Sequence, residues 1–572
     1  MQKENITRIA DLVLFFIALG AFILYTIDYG FFLSAQTRFV IHHIGYGTMI
    51  LFIIDNAYAL LYNGQIKREF LRRKTPYIIT VLILLQFIFI KLGIYSISFP
   101  FINDYQGYVV MTQIYLFYML LVKISKINYF FLPVIRIGPL QLFVLSFAFI
   151  TIGGALLLMM PRATVGYQSM PFLDALFTST SAVCVTGLTV TDTATYFTLL
   201  GKIIIILLIQ IGGLGLMTFT SFFSIFFLKK LTIREQFMMG QVLSYESVGN
   251  ISKLIRSIIT LTFTIEFLGA AALYIRWHNE PGVHPFFDSV FHSISAFCNA
   301  GFSTFTTNLA NYKGDLTVNL VVSLLIILGG LGFVVLVDLF RPRESQQRRM
   351  WSLQTKMVLA VSSILVIAGT VFIYIGEMNR SFKMLQPEEK ILAAFFQSVS
   401  TRTAGFNTVD IGAFSFSVLI FVIILMYIGA SPGSTGGGIK TTTAGLLYSA
   451  GISSLKQEQD IVFFKRTIPY TIVYRALALV MVSAVFLGIM FMILVNYDNK
   501  PAVKLLFELV SAFGTVGLST GITSSLTVIG KVVIIITMFV GRLGPVTLAL
   551  ALSRSKSKPD IQYPEESGIM VG

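Results

Sequence analysis

Ser511-Ala-Phe-Gly-Thr-Val-Gly-Leu-Ser519 decides how this chain folds, because the stretch occurs in four versions. The others are Ser181-Ala-Val-Cys-Val-Thr-Gly-Leu-Thr189, Ser295-Ala-Phe-Cys-Asn-Ala-Gly-Phe-Ser303 and Ser400-Thr-Arg-Thr-Ala-Gly-Phe-Asn407. Each holds a glycine followed by Leu or Phe: Gly187, Gly301, Gly405 and Gly517. The third version is one residue shorter before its glycine, so its equivalence is looser upstream. A short amphipathic segment leads into each stretch (residues 171–183, 285–297, 388–400 and 501–513), and apolar runs flank the whole on both sides. The spacing of about 105 to 115 residues far exceeds that of solenoid repeats, so the unit is a substantial folding module.

Composition supplies the solvent. Of 572 residues, 55% are hydrophobic and only 12% charged, whereas soluble chains run near ~25% charged. Runs such as 200–227 and 532–552 are long enough to cross a hydrocarbon core of about 30 Å. The short segments are not, and suit re-entrant helices. The formal charge of +15 is spread in small clusters between apolar runs, which points to topology signals and away from nucleic-acid binding. Cys184 and Cys298 sit in apolar surroundings without the spacing of a zinc site or a disulfide framework, and read as small packing residues.

Before the repeats, spans are expected at 11–32, 39–61, 77–98 and 108–123. The first is too long for a signal-peptide core and reads as a retained span. With the N-terminus cytoplasmic, the basic connections at 67–74, 229–234, 341–349, 456–466 and 554–558 all fall on the cytoplasmic side, and the mixed-sign segments near 278–284, 377–389 and 498–500 fall opposite. The expected fold is therefore an all-α polytopic membrane protein. An extension of about four helices (1–131) precedes four tandem helix–pore-loop–helix units around one pore (132–553), and a cytoplasmic tail follows (554–572).

Non-helical backbone at membrane depth is tolerated only where protein buries it or it lines a water-filled path. Four such loops imply a common cavity. Glycine permits backbone angles that turn carbonyls inward, and a ring of carbonyls can replace the hydration shell of a cation. The short helices would direct their partially negative C-terminal ends at that ion. Candidate filter residues are Val185, Thr186 and Gly187; Asn299, Ala300 and Gly301; Thr403, Ala404 and Gly405; and Thr515, Val516 and Gly517.

On these loops, from about residue 140 to 553, the chain resembles the Trk/Ktr/HKT superfamily of potassium transporters, and most of all its KtrB and TrkH membrane subunits. The resemblance implies potassium uptake across the plasma membrane, with K+ at the filter residues. Sodium-favouring members often carry serine at the first filter glycine, where this chain has Gly187. It also implies that Gly429-Ala-Ser-Pro-Gly-Ser-Thr-Gly-Gly-Gly-Ile-Lys-Thr-Thr-Thr443, which must break a helix, is an intramembrane gating loop below the filter, with Gly433, Gly436, Gly437, Gly438 and Lys440 as its working residues. Arg542, deep in the last apolar run, would line the pore and meet that loop. Arg402 is expected to brace the third loop through hydrogen bonds. Ile439 between Gly438 and Lys440 and the missing preceding strand speak against a phosphate-binding loop.

The resemblance further implies a homodimer and a separate cytosolic nucleotide-binding ring, with no covalent cofactor. Sodium or proton coupling stays open, as does a sodium or non-selective transporter of the same fold. A non-conducting receptor would not need four filter-like loops. A membrane enzyme would need clustered acids or a metal site, and His42–His43 has no carboxylate cluster in sequence beside it, so no enzyme is expected. The 67–76 linker resembles that of voltage sensors, yet the fourth span lacks the regular arginines that sensing requires.

Overall fold

Apolar periodicity and glycine placement together build the repeated unit. The computed structural model describes residues 2–62, 115–116, 139–215, 251–340, 351–545 and 548. Two N-terminal helices, α1 (Gln2–Gly30) and α2 (Ala35–Tyr62), pack as a hairpin. The third expected span lies outside the described residues. So does the fourth, except for the helical pair Tyr115 and Leu116, which is buried against the hairpin. The basic clusters at 67–74, 229–234, 341–349 and 554–558 are also outside them.

The four units follow in order. They are α3 (Pro139–Leu158), α4 (Phe172–Val183) and α5 (Leu199–Leu214); then α6 (Ile251–Trp277), α7 (Pro285–Phe297) and α8 (Leu316–Leu331), with α9 (Phe333–Phe340) turning off at 105°. The third has α10 (Leu353–Glu377), α11 (Pro387–Ser400), α12 (Phe416–Tyr427) and, after the glycine-rich break, α13 (Thr441–Leu455). A two-residue-strand hairpin, β1 (Val462–Phe463) with β2 (Arg466–Thr467), leads into α14 (Tyr470–Tyr497), α15 (Ala502–Gly514) and α16 (Val528–Leu543). Among the described residues, five helices are long and apolar enough to cross a membrane, six if the bent α8–α9 pair is one span.

Incoming and re-entrant helices are joined the same way in three units. Ser179, Ser293 and Ser398 donate hydroxyls to the carbonyls of Thr151, Glu266 and Val366 at 2.7, 2.6 and 2.7 Å, each beside a glycine of the incoming helix. Leu509 holds the corresponding place in the fourth unit.

The outgoing helices depart from expectation. The run 200–227 reads as one continuous span, but α5 stops at Leu214; α8 stops at Leu331 and α16 at Leu543. Gly215, Gly332 and Gly544 follow with φ of 76°, 95° and 84°, a left-handed step that ends a helix. Breaks at this level therefore occur in all four units, and in the third the break is widened into the 429–440 segment, three residues shorter than the expected 429–443 because helix resumes at Thr441.

Candidate ion pathway

The local physics of the four loops is the same. Val185, Asn299, Thr403 and Thr515 have φ of 56°, 62°, 68° and 49°, and the glycines two places on have 93°, 69°, 74° and 90°. Three of the four non-glycines are β-branched, for which this region is a true outlier. Strain of this kind costs about 1–3 kcal/mol per residue and persists where the surroundings impose it, most often at functional sites.

The shorter third loop has a simple explanation. In the other three, the amide before the glycine (Thr186, Ala300, Val516) donates to the serine carbonyl five residues back, at 2.7, 2.7 and 2.8 Å. In the third, Ala404 donates to Ser400 across four residues at 3.0 Å. The missing residue is absorbed by tightening that turn, and Thr403-Ala404-Gly405 keeps the register of the others.

The glycines face one another in cyclic order. A β-carbon on Gly187 would strike the Ala300 carbonyl, one on Gly301 would lie 2.8 Å from the Ala404 oxygen, one on Gly405 would lie 2.6 Å from the Val516 oxygen, and one on Gly517 would strike the Thr186 carbonyl. Each loop thus abuts the next and the fourth abuts the first. Side chains reinforce the ring: Thr403 donates to the Asn299 amide oxygen at 3.2 Å, while the Asn299 nitrogen holds the Ala296 and Ile326 carbonyls at 3.0 and 3.1 Å. Lys531 of the fourth unit meets Asp174 of the first at 2.6 Å.

Buried acids anchor the outer limbs, and the sequence reading does not single them out. Glu508 on α15 accepts from Ser519 Oγ, Thr520 N and Thr523 Oγ1 at 2.8, 2.8 and 2.7 Å. Asp288 on α7 takes Thr304 Oγ1 at 2.7 Å, and His292 reaches Ser303 at 2.9 Å. An acid within an otherwise apolar re-entrant helix is the signal that could have found them. Cys184 and Cys298 are buried free thiols, as expected.

The broken segment is tied, directly or through Arg542, to every unit. Ser431 and Thr435 amides donate to the Gly330 and Gly329 carbonyls at 3.0 and 3.4 Å, and Gly433 accepts from Phe333 at 2.8 Å. Gly437 donates to Thr515 Oγ1 at 2.8 Å, and Gly436 leaves no room for a side chain against Thr403. Arg542 donates to the carbonyls of Thr435 and, in the first unit, Gly212. Lys440 turns back onto the Gly436 carbonyl at 2.8 Å. Arg542 is therefore at the end of α16, just before the break, and not within an unbroken span.

Arg402 does not behave as expected. Its side chain makes no hydrogen bond among the described residues, and it lies 9% exposed with Nε unpartnered. The third loop is held by backbone bonds and Ser400, whose hydroxyl donates to the Phe406 carbonyl at 2.5 Å. No group of three or more metal-ligating side chains occurs among the described residues.

A fourfold set of re-entrant helix, strained loop and broken helix, closed into a ring within an apolar bundle, defines a multi-pass membrane protein of the ion-transporting kind. Residues 146–562 match the TrkH family of cation transport proteins. The chain belongs to that family. It is 39% identical to the Ktr system potassium uptake protein B of Bacillus subtilis over 75% of this chain and 96% of that protein. It is 37% identical to the potassium/sodium uptake protein NtpJ of Enterococcus hirae, over 76% and 98%. The crystal structure of the potassium transporter TrkH from Vibrio parahaemolyticus shares the fold, with a TM-score of 0.62, 18% identity, and coverage of 83% and 97%.

Proposed function

We propose that this protein takes up potassium across the plasma membrane through one pore. Its filter is formed by Val185-Thr186-Gly187, Asn299-Ala300-Gly301, Thr403-Ala404-Gly405 and Thr515-Val516-Gly517, and its gate is the 429–440 segment held by Arg542. The supporting observation is the cyclic abutment of Gly187, Gly301, Gly405 and Gly517. Left-handed residues at every second position bring successive carbonyls to one side, where they replace water around a dehydrated cation. Helices α4, α7, α11 and α15 add about half a negative charge each at their C-termini. Chloride is refused on sign alone.

Flux into vesicles holding the purified chain, with K+ or Na+ as sole permeant cation, tests this. Potassium is expected to pass and sodium to pass more slowly. Equal rates would favour the sodium-passing alternative, a reading supported by the Enterococcus relative named for both ions. A sodium or proton dependence of potassium entry would mark coupling. Both termini are cytoplasmic, a reading supported by the distribution of the basic connections. The protein works as a homodimer on a separate cytosolic nucleotide-binding ring, a reading in keeping with a relative named as one lettered part of a system.

A further inference from the structure

Between the second and third units lies a cavity of about 250 Å³, walled by Ile326, Leu331, Leu359 and Val366, with Arg402, Ser362 and Ser363 as its polar side chains. The rest of the wall is mostly apolar, yet Arg402 is nine-tenths buried as a residue, and its Nε and Ser362 Oγ are fully buried with no hydrogen-bond partner among the described residues. No carboxylate pairs with this arginine there. A guanidinium stays charged in proteins and presents five donors in a fork, and burying it without a counter-ion is costly. An acceptor-only anion would complement such a group, and a carboxylate matches the fork with two parallel bonds.

The surroundings narrow the class further. Val366 is near the middle of the 25-residue α10, so the charge sits near mid-membrane, far from where a two-chain phospholipid holds its headgroup. A small hydrophilic anion would find mostly apolar walls beyond Arg402, Ser362 and Ser363. The volume is below the roughly 300–1,000 Å³ of ordinary ligand pockets, which suits one slender chain. We propose that this cavity binds a single-chain carboxylate amphiphile, a fatty-acid anion from the bilayer, with its carboxylate on Arg402 and Ser362 and its chain along Leu359 and Val366. Gly330 also borders the cavity and its carbonyl holds Ser431 of the broken segment at 3.0 Å. The occupant therefore bears on the helix end that seats that segment.

The test uses the full chain in phosphatidylcholine nanodiscs with photoactivatable palmitic acid, its matching alcohol and photoactivatable phosphatidylglycerol as probes, read by mass spectrometry. Adducts of the acid are expected within residues 326–331 and 359–367, competed by unlabelled palmitate. Labelling should fall at least tenfold in Leu359→Trp, which fills the cavity, and in Arg402→Gln. Equal labelling by the alcohol would overturn the anion assignment, stronger labelling by phosphatidylglycerol would overturn the single-chain source, and no adducts at these peptides would overturn the site. If Arg402→Gln does not fold, Leu359→Trp and the acid–alcohol comparison on the parent decide. Ion flux enters none of these measurements, so their failure leaves the uptake proposal separately testable.

Discussion

Replacing Arg542 by Gln should loosen the broken segment while leaving the loop ring intact. In the structure the guanidinium donates to the Thr435 and Gly212 carbonyls, tying the segment to the first unit. A hydrogen bond from a charged group contributes about 1.5–3 kcal/mol and a neutral one about 0.5–1.5. Gln can keep at most neutral bonds, so two weakened contacts cost the seated position about 2–3 kcal/mol in all. At about 1.4 kcal/mol per factor of ten, the seated-to-displaced ratio falls by roughly 30- to 150-fold. Removing a cationic group below the filter lowers the barrier to a cation further. Single-channel recording in planar bilayers, with the variant matched to the parent for folded yield, reads open probability and the K+/Na+ permeability ratio together. Open probability should rise at least tenfold and the ratio should hold within about twofold, since no ring contact involves Arg542. A well-folded variant with unchanged open probability would refute the clamp.

Gly187→Ser should lower the K+/Na+ permeability ratio, because φ of 93° strains any side chain and a β-carbon strikes the Ala300 carbonyl; an unchanged ratio sinks the first loop's place in the filter. Glu508→Leu removes the acceptor of the Thr520 amide and of the Ser519, Thr520 and Thr523 hydroxyls, which should lower stability by about 2–4 kcal/mol, read as a drop in thermal unfolding temperature in detergent. Substitution of the exposed Lys500 by Gln is the control, expected to change stability by less than about 0.5 kcal/mol. Tags after Lys74 and Arg348 should be cytoplasmic and one at Gly282 external; labelling that puts Gly282 and Arg348 on one side would dismantle the two-span unit.

Repetition made most of the fold legible. The short segments expected at 171–183, 285–297, 388–400 and 501–513 correspond to helices Phe172–Val183, Pro285–Phe297, Pro387–Ser400 and Ala502–Gly514, because four copies in register outweigh any single ambiguous pattern. The helix breaks are less visible. Gly212-Gly-Leu-Gly215, Gly329-Gly-Leu-Gly332 and Gly541-Arg-Leu-Gly544 carry them, but glycine in an apolar run also serves close helix packing, and proline adds to the signal only in the third and fourth units, at Pro432 and Pro545. Hydropathy therefore draws spans straight through Gly215. Arg402 reads wrongly from sequence because a charge beside a loop suggests a brace, while only the three-dimensional surroundings place it in a cavity wall with no counter-ion among the described residues.

On the proposed function, departures from fourfold symmetry should separate selection from gating. Gly213, Gly330 and Arg542 occupy the same place in three units, one residue after the glycine that fits against the carbonyl of Val183, Phe297 or Phe513. The third unit has Ala430 there, followed by the extended segment. Space below the ring admits one such segment: Gly436 and Gly437 already press on Thr403 and Thr515 with no room for a β-carbon, so a second copy would collide with the first. One segment needs one clamp, and a fourfold set of arginines would place four like charges close together, at a repulsion that low-dielectric surroundings magnify. Selection has the opposite requirement, since an ion on the axis is best held by ligands from every side. Repeated positions should therefore alter which ion passes, and the unique ones, the 429–440 segment and Arg542, how often. Deleting Gly433 to Gly438 probes this most directly: open probability should rise while potassium stays preferred over sodium, and a folded deletion that loses preference without opening more would reverse the division.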